Sequence, residues 1–134
     1  SSRSVTRVDP HDAEGRLILA WTNLGSLVES SLRAFLAVFL EDYMGSPAAR
    51  RNGDVIAVKD AEFHTLREYF RDHDVWGVDG SAWDSWILHI QHRRNAIHSF
   101  KDRHIGSLAE FHDDVARYLQ LLGMLDARLP YPEP

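Results

Sequence analysis

DAEGRLILAWTNLGSLVESSLRAFLAVFLEDY, from Asp12 to Tyr43, is the stretch on which the fold turns. Leu17, Trp21, Leu24, Val28, Phe35 and Phe39 follow steps of three, four and seven, which places them on one face of a helix. A second row, Leu32, Leu36, Leu40 and Tyr43, widens that face in the C-terminal half. So broad a stripe predicts burial on two sides, by the chain's own helices and by a second subunit. Gly15 and Gly25 lower helix propensity without cancelling a pattern this long.

Outward from this helix, three more are predicted. Gly45-Ser46-Pro47 ends the first, since proline cannot continue it. A polar loop follows through Asn52-Gly53, and its apolar run Val55-Ile56-Ala57-Val58 reads as packed loop, because a lone strand is unstable. Asp60 is the expected cap of a second helix carrying Phe63, Leu66, Tyr69 and Phe70. Gly77 and Gly80 mark a turn. Ser81 with Asp84 then resembles the start of a third helix, with Trp83, Trp86, Ile87, Ile90 and Ile97 on its buried side. Gly106 breaks the chain, and Ser107-Leu108-Ala109-Glu110 is a capping box. It opens a helix with Phe111, Val115, Tyr118, Leu119, Leu122 and Leu125. The expectation is an all-α protein, a four- to five-helix up-and-down bundle with a long first helix. Residues 1–128 form its single domain and 129–134 a proline-rich tail.

With 134 residues and 44% apolar content, one domain with a real core is expected, and 26% charged residues argues against disorder. The absence of cysteine excludes disulfides, thiolate metal sites and cysteine nucleophiles, and fits a reducing, cytoplasmic home. Leu32 to Leu40, interrupted by Arg33, falls far short of the roughly 20 residues of a membrane span. Ser1-Ser2-Arg3-Ser4 has no apolar core behind it and predicts no secretory signal. The net charge of −5 leaves any nucleic-acid contact to a local basic patch.

One such patch exists. Arg93, Arg94, Lys101 and Arg103 face the single acid Asp102 between residues 93 and 103, and His92, His98 and His104 lie in or beside it. Arginine holds phosphate bidentately, and histidine moves protons near neutral pH. Together they suit metal-free phosphodiester cleavage. On a continuous helix Arg94 and His98 share a face, whereas Arg93 and His98 lie about 140° apart. A solvated end complementing the helix dipole is the commoner use of such residues. His89 and His92, with His98, His104 or His112, match no established zinc spacing, so neither metal nor cofactor is expected. Trp76, Trp83 and Trp86 read as core anchors and Glu29 as a solvated helix position.

The string Arg93-Arg94-Asn95-Ala96-Ile97-His98 resembles the Arg-x4-6-His motif of HEPN domains (higher eukaryotes and prokaryotes nucleotide-binding). Asp102-Arg103-His104-Ile105-Gly106 and the Trp21-to-Glu29 segment are similar to small bacterial members. The resemblance implies a homodimer whose two motifs meet in one cleft and cut RNA without metal, leaving a 2′,3′-cyclic phosphate. His98 would be general base or acid, Arg93 would stabilise the transition state, and Asn95 would orient both. Arg94, Lys101, Arg103 and His104 would hold flanking phosphates. Arg93 satisfies the spacing and Arg94 the preference for a polar neighbour; Arg93 is taken as the operative arginine on the spacing, with Arg94 a near equal. A toxin branch has tyrosine where this chain has Phe100, which removes any role for that hydroxyl. The implied setting is a toxin–antitoxin or defence system, with an antitoxin protein as partner. The alternative is a non-catalytic HEPN-like module for dimerisation and for binding a protein or nucleotide.

Overall fold

Apolar periodicity becomes architecture in helix α1, Pro10–Val38, on which every other helix is assembled. The structure is a computed structural model and describes residues 10–95 and 106–130. After α1 come α2 (Leu40–Met44), α3 (Phe63–Asp72), α4 (Gly80–Asn95) and α5 (Leu108–Ala127), an all-α bundle as expected. Trp21, Leu24, Val28, Leu32 and Leu36 of α1 are buried against Leu66 and Phe70 of α3, Trp83, Ile87 and Ile90 of α4, and Leu121 and Leu125 of α5. Each such side chain contributes about 1.5–3 kcal/mol on leaving water. α4 is α1's main neighbour, and Gly25 permits the approach. A Cβ there would stand 2.8 Å from Cβ of Arg94.

The predicted single helix to Tyr43 is broken at Phe39, whose ψ of 41° departs from helical values. The break turns Tyr43 fully into the core, where its ring lies 5.7 Å from that of Tyr69 and its hydroxyl donates to the Ile56 carbonyl (2.8 Å). Leu40, expected on the buried row, is left exposed.

The following segment is also corrected. Val55 does have a strand partner: β1 (Arg50–Arg51) pairs antiparallel with β2 (Asp54–Val55). Asn52 (φ 54°) and Gly53 (φ 85°) form the two-residue turn between them, a hairpin signal in the sequence itself. Val58 sits in a 3-10 turn, Val58–Asp60. Asp60 ends that turn and does not cap α3. The chain stays extended through Ala61 so that Ala61 and Phe63 enter the core, and Glu62 takes the cap position without a side-chain bond.

α4 starts at Gly80, directly after a 3-10 turn at Gly77–Asp79, so Ser81 lies within its first turn. Asp84 faces away from that terminus and accepts two bonds from Arg67 of α3 (2.9 and 3.0 Å). The predicted capping box of α5 is present, with Ser107 and Glu110 exchanging two 3.1 Å bonds. Leu119 and Leu122 are exposed rather than buried, while Leu121 takes the core position. Among the described residues no helix is long and apolar enough to cross a membrane.

Candidate functional site

The last turn of α4 carries His92, Arg93, Arg94 and Asn95. Consecutive residues on a helix point about 100° apart, so the two arginines diverge. Arg93 turns towards α5. Its guanidinium lies 4.9 Å from the centre of the Trp21 ring, and Nη2 donates to Oε2 of Glu110 at 3.2 Å. Arg94 turns towards α3, over the Phe63 ring at 5.0 Å, and its Nη1 donates to Oε1 of Glu29. Asn95 is exposed at the helix end. His98, Phe100, Lys101, Arg103 and His104 lie outside the described residues, as does Ile97.

Gly106, where the chain resumes, has φ +100° and lies close against Trp21 and Arg93. A Cβ there would be 2.8 Å from Cη2 of Trp21 and 3.1 Å from Cζ of Arg93. Gly106, the first described residue after Asn95, therefore sits beside Arg93. Glu110 fastens this corner, using Oε1 for the α5 cap and Oε2 for Arg93.

Glu29 overturns its sequence reading as a solvated position. Besides Arg94 it accepts from Nη2 of Arg33 at 2.5 Å, and Arg33 in turn donates to the carbonyls of Val58 (3.2 Å) and Ala61 (2.6 Å). An acid inside an uncharged helical stretch was the available signal. Beside this network a cleft of about 440 Å³ is lined by Glu29, Glu62, Phe63, Gln91, Arg94 and Asn95, among others.

A second constellation, centred on Asp114, was missed by sequence reasoning. Its carboxylate is buried and accepts from Nε1 of Trp21 (2.8 Å) and Nε1 of Trp86 (3.2 Å), and Nε2 of His89 lies 2.8 Å from Oδ2. Burial pushes this carboxyl up. Hydrogen bonds from His89 and Trp21, the His89 charge and the Trp86 bond outweigh burial and hold it below its ordinary value. An acid at the buried phase of α5, three after Phe111 and seven before Leu121, was the overlooked sign. His89, considered above as a metal ligand, is turned onto this acid. Among the described residues no group of three or more His, Asp or Glu is arranged to hold a metal ion.

Comparison with family models, curated proteins and solved structures finds no match to this chain.

What the arrangement can do chemically follows from its donors. Two guanidiniums are held at fixed places by aromatic faces and carboxylates, which removes much of the rotamer entropy a phosphate ligand would otherwise have to overcome. The indole of Trp21 joins the two halves, stacking under Arg93 and donating to Asp114.

Proposed function

We propose that the chain is a HEPN-type, metal-independent endoribonuclease, acting as a homodimer in a toxin–antitoxin or defence setting. The observation that supports this most is the pre-orientation of Arg93 and Arg94 at the end of α4 by Trp21, Glu110, Phe63 and Glu29. In this reading Arg93, with Arg94 as its equal rival, stabilises charge on the pentacoordinate phosphorus. His98 transfers protons as base or acid, and Asn95 orients the other two. Lys101, Arg103 and His104, with whichever arginine is not operative, bind flanking phosphates. The reading rests on the motif and its setting, and the cytoplasm is the location it fits.

The test is incubation of RNA with purified protein in EDTA, with His98→Ala as control. Fragments ending in 2′,3′-cyclic phosphate, formed by wild type and not by the variant, are expected. Equal survival of RNA with both proteins sinks the enzymatic reading.

A second reading has one observation in its favour. Each arginine already has a carboxylate partner, as expected of pairs that pin helices together. A non-catalytic HEPN-like module for dimerisation and for binding a protein or nucleotide would then bind RNA or nucleotide without cutting it.

A further inference from the structure

The seam between α4 and α5 is a ladder of antiparallel pairs. Arg93 meets Glu110, one turn earlier His89 meets Asp114, and the ladder ends where Arg117 lies 3.8 Å over the ring of Trp83. The middle rung differs from its neighbours. Its acid is buried, with three donors directed at it, whereas its histidine side chain is 38% exposed.

Why a carboxylate stands there is the informative question. An asparagine could not serve all three partners, because Trp21 donates to Oδ2 and Trp86 to Oδ1, so its amide nitrogen would face one of the two indole N–H groups. Besides giving each indole an acceptor, a carboxylate sets the tautomer of His89. Acceptor-only, it requires the proton on Nε2 of His89, and in the neutral imidazole this leaves the lone pair on Nδ1. Nδ1 has no hydrogen-bond partner among the described residues. A histidine oriented through one nitrogen by a buried aspartate, with the other nitrogen unpaired, is the arrangement of a general base.

We propose that His89 is a general base of the same site, with Asp114 as its positioning residue and the 2′-hydroxyl of bound RNA as its substrate group. The proposal rests on the ribonuclease reading above. His89 and Arg93 are four residues apart on one face of α4, about 6 Å along the axis, a separation that one phosphodiester with its ribose can bridge. In the step, Nδ1 takes the 2′-hydroxyl proton as O2′ attacks phosphorus. The P–O5′ bond then breaks, and O5′ takes a proton from water or a separate acid. Asp114 steadies the imidazolium that forms. The ionisable groups within a turn of this dyad are Glu110, His112, Asp113, Arg117 and Tyr118 on α5 and His92 and Arg93 on α4, while α1 brings the neutral Trp21 against it.

The experiment compares the pH dependence of RNA cleavage by wild type, His89→Gln and Asp114→Asn. The expected wild-type profile rises with pH on an acid limb set by His89. His89→Gln is expected to lose that limb and about 10²–10⁴ of the rate at neutral pH. Asp114→Asn, which keeps the side-chain shape and an acceptor for one of the two indoles, is expected to lower kcat with little change in KM. Wild-type rate and profile in His89→Gln would overturn this proposal and leave the ribonuclease reading standing. A wild type that leaves RNA intact overturns both. Independently of activity, nitrogen chemical shifts of His89 in the folded wild type are expected to show the proton on Nε2, and finding it on Nδ1 refutes the dyad.

Discussion

Asp114 shows how far one residue's surroundings set its behaviour. Removing its carboxylate leaves the buried indole N–H of Trp21 and the half-buried one of Trp86 without an acceptor, so Asp114→Ala is expected to cost about 1–3 kcal/mol in chemical denaturation. Because its folded pKa is depressed, it contributes stability above the unfolded carboxyl pKa, and that contribution is lost as pH falls through the folded value. The Tm of wild type should therefore fall faster below about pH 4 than that of Asp114→Asn. Equal acid slopes would show that the carboxylate is not held this way. Gly25 offers a second check at this scale. Gly25→Ala puts a methyl group 2.8–2.9 Å from Cβ, Cγ and Cδ of Arg94, so α4 must shift. A loss of about 1–3 kcal/mol is expected, with weaker RNA binding if Arg94 contacts phosphate. Neither residue could be read from the sequence alone. An aspartate and a glycine inside helices look like surface and low propensity until their neighbours are known.

At the scale of elements, legibility depended on whether the signal was local. The α5 capping box was readable because both partners sit within four residues and bond each other. Ser107→Ala should cost about 1 kcal/mol, measured by urea unfolding. Because Gly106 and Glu110 hold the same corner against Arg93, the variant should also reduce any RNA cleavage. A variant as stable as wild type would mean that the bonds at this helix end are replaced by water at no cost. The start of α4 was misread for the complementary reason. Ser81 and Asp84 have the spacing of a capping box, but Asp84 has a stronger partner in Arg67, distant in sequence. The hairpin at Asn52-Gly53 was a local signal too, missed because the run from Val55 to Val58 showed no strand partner, and its actual partner, Arg50–Arg51, is two polar residues long.

For the whole molecule, the arrangement around α1 predicts cooperative behaviour. Trp21 on α1, Trp76 in the α3–α4 connection, and Trp83 and Trp86 on α4 report on different parts of one core. Tryptophan fluorescence and far-UV circular dichroism should therefore trace the same urea transition, and separated midpoints would show that α1 and α4 do not unfold as one unit. By itself the sequence determined the all-α class, the long first helix, most of the buried positions and the α5 cap, because periodicity and capping act over one or two turns. It also marked Arg93, Arg94 and Asn95 as a group, without saying where they point. Only the tertiary structure decided that Arg93 rests on Trp21 and Glu110, that Arg94 rests on Phe63 and Glu29, and that Asp114 gathers Trp21, Trp86 and His89. These partners lie 17 to 93 residues apart in the chain. Which charge meets which is set by how the helices pack, and packing is a property of all the apolar faces together.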